Sequence, residues 1–98
     1  MTIETKRDGS KLYAAVLGRI DTVTVTEAEN ILKSDIGSVT ELTLDFKELN
    51  YISSAGLRLL LSLQKLMNTQ GSMKVINVNP TVMEIFEVTG FSEMLTIE

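Results

Sequence analysis

Apolar positions recur along the chain with two different periods, and the switches between them mark out the elements. Residues 2–7 alternate weakly and are mostly polar, the pattern of an edge strand. Asp8-Gly9-Ser10 is a turn signal. Residues 11–18 are apolar on both faces and predict a more central strand, so the two segments together read as a hairpin. Val25, Ala28, Ile31 and Leu32 then follow at helical spacing, and the helix is expected to end by Ser34, before Gly37. Thr24-Val25-Thr26-Glu27 has the form of a capping box, in which the Thr24 hydroxyl accepts from an early backbone N–H and Glu27 reaches back.

Leu42, Leu44 and Phe46 alternate with Glu41, Thr43 and Asp45, which is the cleanest strand signal in the chain. A loop is expected over 47–52 and the longest helix over 54–68, with Leu57, Leu60, Leu61, Leu63, Leu66 and Met67 on its apolar side. Leu59 widens that stripe, so two contact faces are expected, and Gly71 is placed to stop the helix. Residues 73–78 read as a strand. Asn79-Pro80 is a helix start, with Asn as cap and Pro at the first helical position. Val82, Ile85, Phe86 and Thr89 share one helical face, Gly90 ends it, and 93–97 is expected to form a last short strand. The order β-β-α-β-α-β-α-β predicts an α/β fold: an antiparallel N-terminal hairpin, then parallel strands, in one small mixed sheet with helices mainly on one face.

Composition removes several chemistries. The 98 residues contain no His, Cys or Trp. Without His there is no imidazole base for a Ser-His-Asp or Cys-His triad. Without His and Cys, zinc loses its usual nitrogen and sulfur ligands, and disulfides are excluded. At this length, with 44% hydrophobic residues, a single domain spanning 1–98 with one core is expected. The longest uncharged runs, 49–57 and 75–83, are far shorter than the roughly 20 apolar residues of a membrane span. The N-terminus has no hydrophobic signal core, so a cytoplasmic protein without membrane insertion is expected. A net charge of −4, no Lys/Arg cluster and few aromatic residues make nucleic acid an unexpected partner. The charge is uneven: residues 75–98 hold four Glu and no Lys or Arg. That stretch is by default a solvated acidic face, or else a contact for a basic partner.

The informative segment is 45–58, where a strand ends, a loop turns, and Ser53 and Ser54 stand at the start of the long helix. Gly56 falls in the first helical turn, where glycine costs about 1 kcal/mol of propensity against Ala. Close approach of a partner surface or of the sheet would require it. Serines are common N-caps, and one of the two is expected to do only that. The other hydroxyl is left over. A phosphate there would sit at the positive end of a long helix, tolerated by the fold, while adding close to two negative charges to the surrounding surface.

This run resembles the signature of STAS domains, specifically the small stand-alone anti-anti-sigma factors: a strand ending in Asp, a loop, then Asp-Ser-Ser/Thr-Gly-Leu opening a helix. Here it reads Asp45, then Tyr51-Ile52-Ser53-Ser54-Ala55-Gly56-Leu57. Leu17-Gly18-Arg19-Ile20-Asp21-Thr22 with Thr24 is similar to the family's early Gly-x-Leu-Asp segment. Pro80-Thr81-Val82, Phe86 and Thr89-Gly90-Phe91 are similar to its C-terminal segment, so the resemblance covers essentially the whole chain. The resemblance places the phosphorylated serine on Ser54. It implies an anti-sigma factor with serine-kinase activity as partner, using ATP, and a metal-dependent phosphatase that reverses the modification. Unphosphorylated, such a protein binds the anti-sigma factor and frees a sigma factor. Two positions depart from the pattern: Ser53 stands where the family usually has Asp, and Ala55 where it has Ser or Thr. Ser53 is therefore a competing site.

The candidate partner-binding set is Asp21, Thr22, Ser53, Ser54, Ala55, Gly56 and Arg58. Asp21 has two open readings, partner contact or loop-capping Asp. Arg58 has three: a partner carboxylate, the phosphate, or a solvated surface charge. Asp45 and Glu48 are too few carboxylates for a metal site, so neither a metal nor a cofactor is expected. The sequence is thus read as a non-enzymatic, phosphorylation-controlled binding module. The alternative is a scaffold or accessory STAS subunit of a signalling or lipid-transport assembly, in which both serines are ordinary caps. A small enzyme is disfavoured, since no base neighbours either serine in sequence.

Overall fold

A computed structural model describes residues 1–34 and 36–98. The N-terminal hairpin forms as its pattern predicts. Strands β1 (Thr2–Asp8) and β2 (Lys11–Ile20) pair antiparallel around a turn in which Gly9 has a φ of 61°. Strands β3 (Glu41–Asp45) and β5 (Ser72–Ile76) extend the sheet with parallel pairing, giving the order β1-β2-β3-β5 with β1 at an edge. Helices α1 (Val25–Lys33), α2 (Ser54–Gln70) and α3 (Pro80–Thr89) follow β2, β4 (Leu49–Ile52) and β5 in the chain.

The sheet has one buried face. Leu12, Ala14 and Val16 of β2, Leu42 and Leu44 of β3, and Met73 and Val75 of β5 all point into the core. They meet Ala28 and Leu32 of α1, Leu60, Leu63 and Met67 of α2, and Val82 and Phe86 of α3 within one cluster. Phe46 and Phe86, both fully buried, tilt against each other at 6.4 Å between ring centroids. The opposite face carries Tyr13, Thr43, Asp45 and Lys74, none of them buried. There Asp45 accepts hydrogen bonds from the Tyr13 hydroxyl, the Lys47 N–H and Asn77 Nδ2. Burial pushes the Asp45 carboxyl up, but these three donors outweigh it and hold the group below its ordinary value.

Three segments differ from the sequence expectation. Residues Leu49–Ile52, expected as loop, form a strand, β4, which pairs parallel with the last residues of β2 at Gly18, Arg19 and Ile20. Only Leu49 and Ile52 of β4 are buried, so four residues show no alternation, and a register shift between Gly18 and Arg19 breaks the pattern on the partner strand too. Residues 93–97 do not make a strand. Gly90, with φ 81°, closes α3, and Phe91–Met94 adds a short helical turn, α4. What remains joins the sheet through a single bridge between Val75 and Ile97.

The third difference is at Thr24. It stands at the N-cap of α1, but its backbone is helical (ψ −14°) and its side chain caps nothing. A capping hydroxyl needs an extended backbone to reach the third helical N–H. Here the hydroxyl turns back into the preceding loop instead.

Candidate functional site

The parallel pairing of β2 and β4 builds the site. Arg19 lies opposite Tyr51 and Ile20 opposite Ile52, so the chain leaves both strands at the same edge. Asp21 follows Ile20 and Ser53 follows Ile52, and the Ser53 N–H donates to the Ile20 carbonyl at 2.9 Å. The segments 21–24 and 53–56, remote in sequence, are thereby held side by side. Loops beyond the carboxyl ends of parallel strands are where α/β sheets place their binding sites.

The two serines divide their roles. Ser53 is extended (φ −87°, ψ 176°), and its hydroxyl oxygen accepts from the Gly56 N–H at 3.4 Å, capping α2. Ser54 is the first helical residue and is exposed. Its hydroxyl is the one left over. Leu57 and Ala55 are buried beneath it, and Arg58 is exposed one turn further along. Gly56 is buried too, and its part is to let α2 lie low on the sheet. A Cβ there would stand 2.5 Å from Ile52 Cγ1 and 2.9 Å from Ile20 Cγ2. The close approach that its propensity cost suggested is to the sheet, not to an outside surface.

The neighbouring loop is tied by its own side chains. Asp21 Oδ1 accepts from the N–H groups of Val23 at 2.9 Å and Thr24 at 3.0 Å. Thr24 Oγ1 accepts from the Asp21 N–H at 2.9 Å and donates to the Arg19 carbonyl at 3.0 Å. The Thr24 and Val23 amides, more than any other group, hold the Asp21 carboxyl below its ordinary value. Its other oxygen lies 3.6 Å from Arg19 Nε. The Arg19 guanidinium stacks 4.6 Å from the centroid of the Tyr51 ring, which joins the ends of the two strands through side chains as well. Asp21 is therefore a loop-capping residue, and Thr22 is exposed within the loop it caps.

Val23 and Tyr51 are parts of this surface that hydropathy did not single out. Val23 is 85% exposed and Tyr51 37% exposed. The usable signal for Val23 is its place inside an Asp-x-x-Thr turn, whose Asp21 carboxylate accepts from the Val23 N–H. Beside it, Val25, Thr26 and Glu29 of α1 and Ala55, Arg58 and Leu59 of α2 line a shallow groove of about 240 Å³. Leu59, the residue that widened the helical stripe, belongs to this second face of α2, although it is itself buried. A shallow groove of mixed apolar and charged lining, with an exposed valine and a free hydroxyl beside it, suits a protein segment rather than a small molecule.

Among the described residues no group of three acidic side chains is placed to hold a metal ion. None of the helices described is long and apolar enough to cross a membrane.

Comparison with known proteins gives a consistent result. The chain is 33% identical to BtrV of Bordetella bronchiseptica, a protein assigned as an anti-sigma factor antagonist, over 94 residues spanning 94% of this chain and 80% of BtrV. Its fold matches an anti-sigma factor antagonist from Mycobacterium paratuberculosis with a TM-score of 0.88 at 18% identity, over 98% of this chain and 83% of that one. It also matches the anti-sigma factor antagonist SpoIIAA in its unphosphorylated form (TM-score 0.84, 19% identity, 99% and 88% of the two chains). The phosphorylated form of SpoIIAA from Bacillus superposes with a TM-score of 0.76 at 19% identity, over 99% and 91% of the chains. Residues 2–98 match the STAS domain profile, and the chain belongs to the STAS domain family.

Proposed function

We propose that this protein is an anti-sigma factor antagonist whose docking surface is switched by phosphorylation of Ser54. One observation carries the reading: Ser53 spends its hydroxyl on capping α2, while the Ser54 hydroxyl stands exposed at the helix start beside the Asp21–Thr24 loop. The identity to BtrV supports the antagonist role, and the existence of a phosphorylated form of SpoIIAA supports phosphorylation on this fold. In the unphosphorylated state the rim formed by Asp21, Thr22, Val23, Ser53, Ser54, Ala55 and Arg58 receives an anti-sigma factor, and its sigma factor is freed. The partner's kinase activity transfers the γ-phosphoryl group of ATP to Ser54 Oγ, with ADP and the hydroxyl proton released. The dianion then stands beside the α1–α2 groove, where desolvation and charge oppose re-docking. A metal-dependent phosphatase restores the hydroxyl. The chain itself performs no catalysis and works in the cytoplasm.

An accessory-subunit role would leave both serines as plain caps, whereas only one of them caps. Ser54→Asp should weaken binding to the anti-sigma factor more than about tenfold with an unchanged fold, and Ser54→Ala should bind constitutively. Phosphopeptide mapping of protein from growing cells, with calorimetry of the two variants against the anti-sigma factor, checks this. Phosphate found only at other residues, or Ser54→Asp binding as wild type does, would sink the reading.

A further inference from the structure

The charged groups at this end of the molecule are mostly committed. Arg19 is engaged by Asp21 at 3.6 Å and by the Tyr51 ring. Lys33 lies 3.0 Å from Glu29 and donates to the Ser62 hydroxyl, which also occupies the carboxylate that α1 contributes to the groove. Arg58 is different. It is exposed, lines the groove, and has no ion pair among the described residues.

Its position relative to Ser54 is set by the helix. The two are four residues apart on α2, hence stacked on one face with Cβ atoms roughly 5–6 Å apart. Helical side chains lean toward the N-terminus, so a long side chain at 58 sweeps back over the turn that carries 54. An acid four residues before a base is also the favourable orientation of an i,i+4 ion pair. A phosphate offers the guanidinium fork two acceptor oxygens at once, which the serine hydroxyl does not.

We infer that Arg58 is the intramolecular counter-ion of a phosphate on Ser54, so that phosphorylation withdraws a cation from the α1–α2 groove as well as adding negative charge beside it. The inference rests on Ser54 being the modified residue. It makes the switch subtractive: a partner carboxylate that would meet Arg58 in the unmodified protein finds it already occupied. Arg58 is a positioning residue for the switch and takes no part in forming the phosphate ester.

The test uses the full chain with phosphoserine installed at 54 during translation, so that no kinase is needed. A ³¹P NMR pH titration reads the second ionisation of the phosphate in the wild type, Arg58→Gln, Arg58→Lys and, as a control, Arg19→Gln. The guanidinium should hold that pKa down, so Arg58→Gln should raise it by about 0.3 at low ionic strength, as expected for an i,i+4 pair. Arg58→Lys should restore part of the difference, and Arg19→Gln should leave it unchanged. In the wild type the Arg58 Nε–H proton resonance should move on phosphorylation. An Arg58→Gln titration that overlays the wild type, or a shift carried by Arg19→Gln instead, would overturn the inference. Failure of the proposed switch itself would appear separately, in the phosphopeptide map.

Discussion

Two helices begin at the same edge of the sheet, each just after a hydroxyl residue, and they use it in opposite ways. At α2 the backbone of Ser53 is extended and its hydroxyl caps the helix, accepting from the Gly56 N–H. At α1 the backbone of Thr24 is already helical, and its hydroxyl binds the loop before it, at the Asp21 N–H and the Arg19 carbonyl. One hydroxyl stabilises a helix and the other shapes a turn. The consequence reaches the surface: the cap at α2 leaves Ser54 free and exposed, while the knot at α1 holds Val23 outward beside it. The third helical position repeats the contrast, since Gly56 is pressed onto the sheet and Glu27 of α1 is exposed.

That last contrast gives the largest expected effect. Gly56→Ala gains helix propensity worth about 1 kcal/mol. It also drives a methyl into Ile52 and Ile20, both fully buried, and overpacking costs roughly 1–3 kcal/mol. A net loss of up to about 2 kcal/mol is expected in urea unfolding, whereas Glu27→Ala at the matching position of α1 should stay within about 0.5 kcal/mol. Equal effects at the two positions would mean that α2 is not held against the sheet by this contact.

The same contrast explains what could be read from sequence. The hairpin, β3, α2, the Asn79-Pro80 start of α3 and the Gly90 stop were legible because each is a local pattern, fixed by periodicity or by one residue's backbone preference. Strand β4 was not, because its pairing with β2 is set by a register shift at Gly18–Arg19 that no window of residues contains. The cap expected at Thr24 fails to form for a related reason. The capping-box spacing is present, but whether the hydroxyl faces forward depends on ψ at 24, which the Asp21 turn decides. At the site, the pair of serines was visible, and so was the need for one of them to cap. Which neighbour they would acquire was not, since Asp21 and Ser53 meet only through the β2–β4 pairing.

Removing each hydroxyl separates the two uses. Ser53→Ala should cost about 1 kcal/mol or slightly less, the cap bond being long at 3.4 Å, and should fray the first turn of α2. Thr24→Val keeps the side-chain shape but loses both loop bonds, at about 1 kcal/mol. Its hydrogen-exchange signature should differ: faster exchange at the Asp21 amide, with α1 protected as before. Rapid exchange through the first turn of α1 in that variant would show that the hydroxyl does serve the helix after all.

The smallest effect concerns Asp21. Its carboxyl is held below the ordinary value chiefly by the Thr24 and Val23 amides, and Arg19 adds to this. A depressed carboxyl stabilises the fold above its unfolded pKa of about 3.9 and loses that contribution as pH falls through the folded value. Wild-type stability should therefore decline as pH drops below about 4, with Asp45, also depressed, contributing to the same limb. Asp21→Asn removes one of the two groups and should make this decline shallower, so that the variant and the wild type converge toward acid pH. Urea midpoints measured from pH 6 down to the acid limb decide it. Parallel curves would mean that the carboxylate charge at 21 does not hold the turn, and that the loop's shape rests on the Thr24 hydroxyl alone.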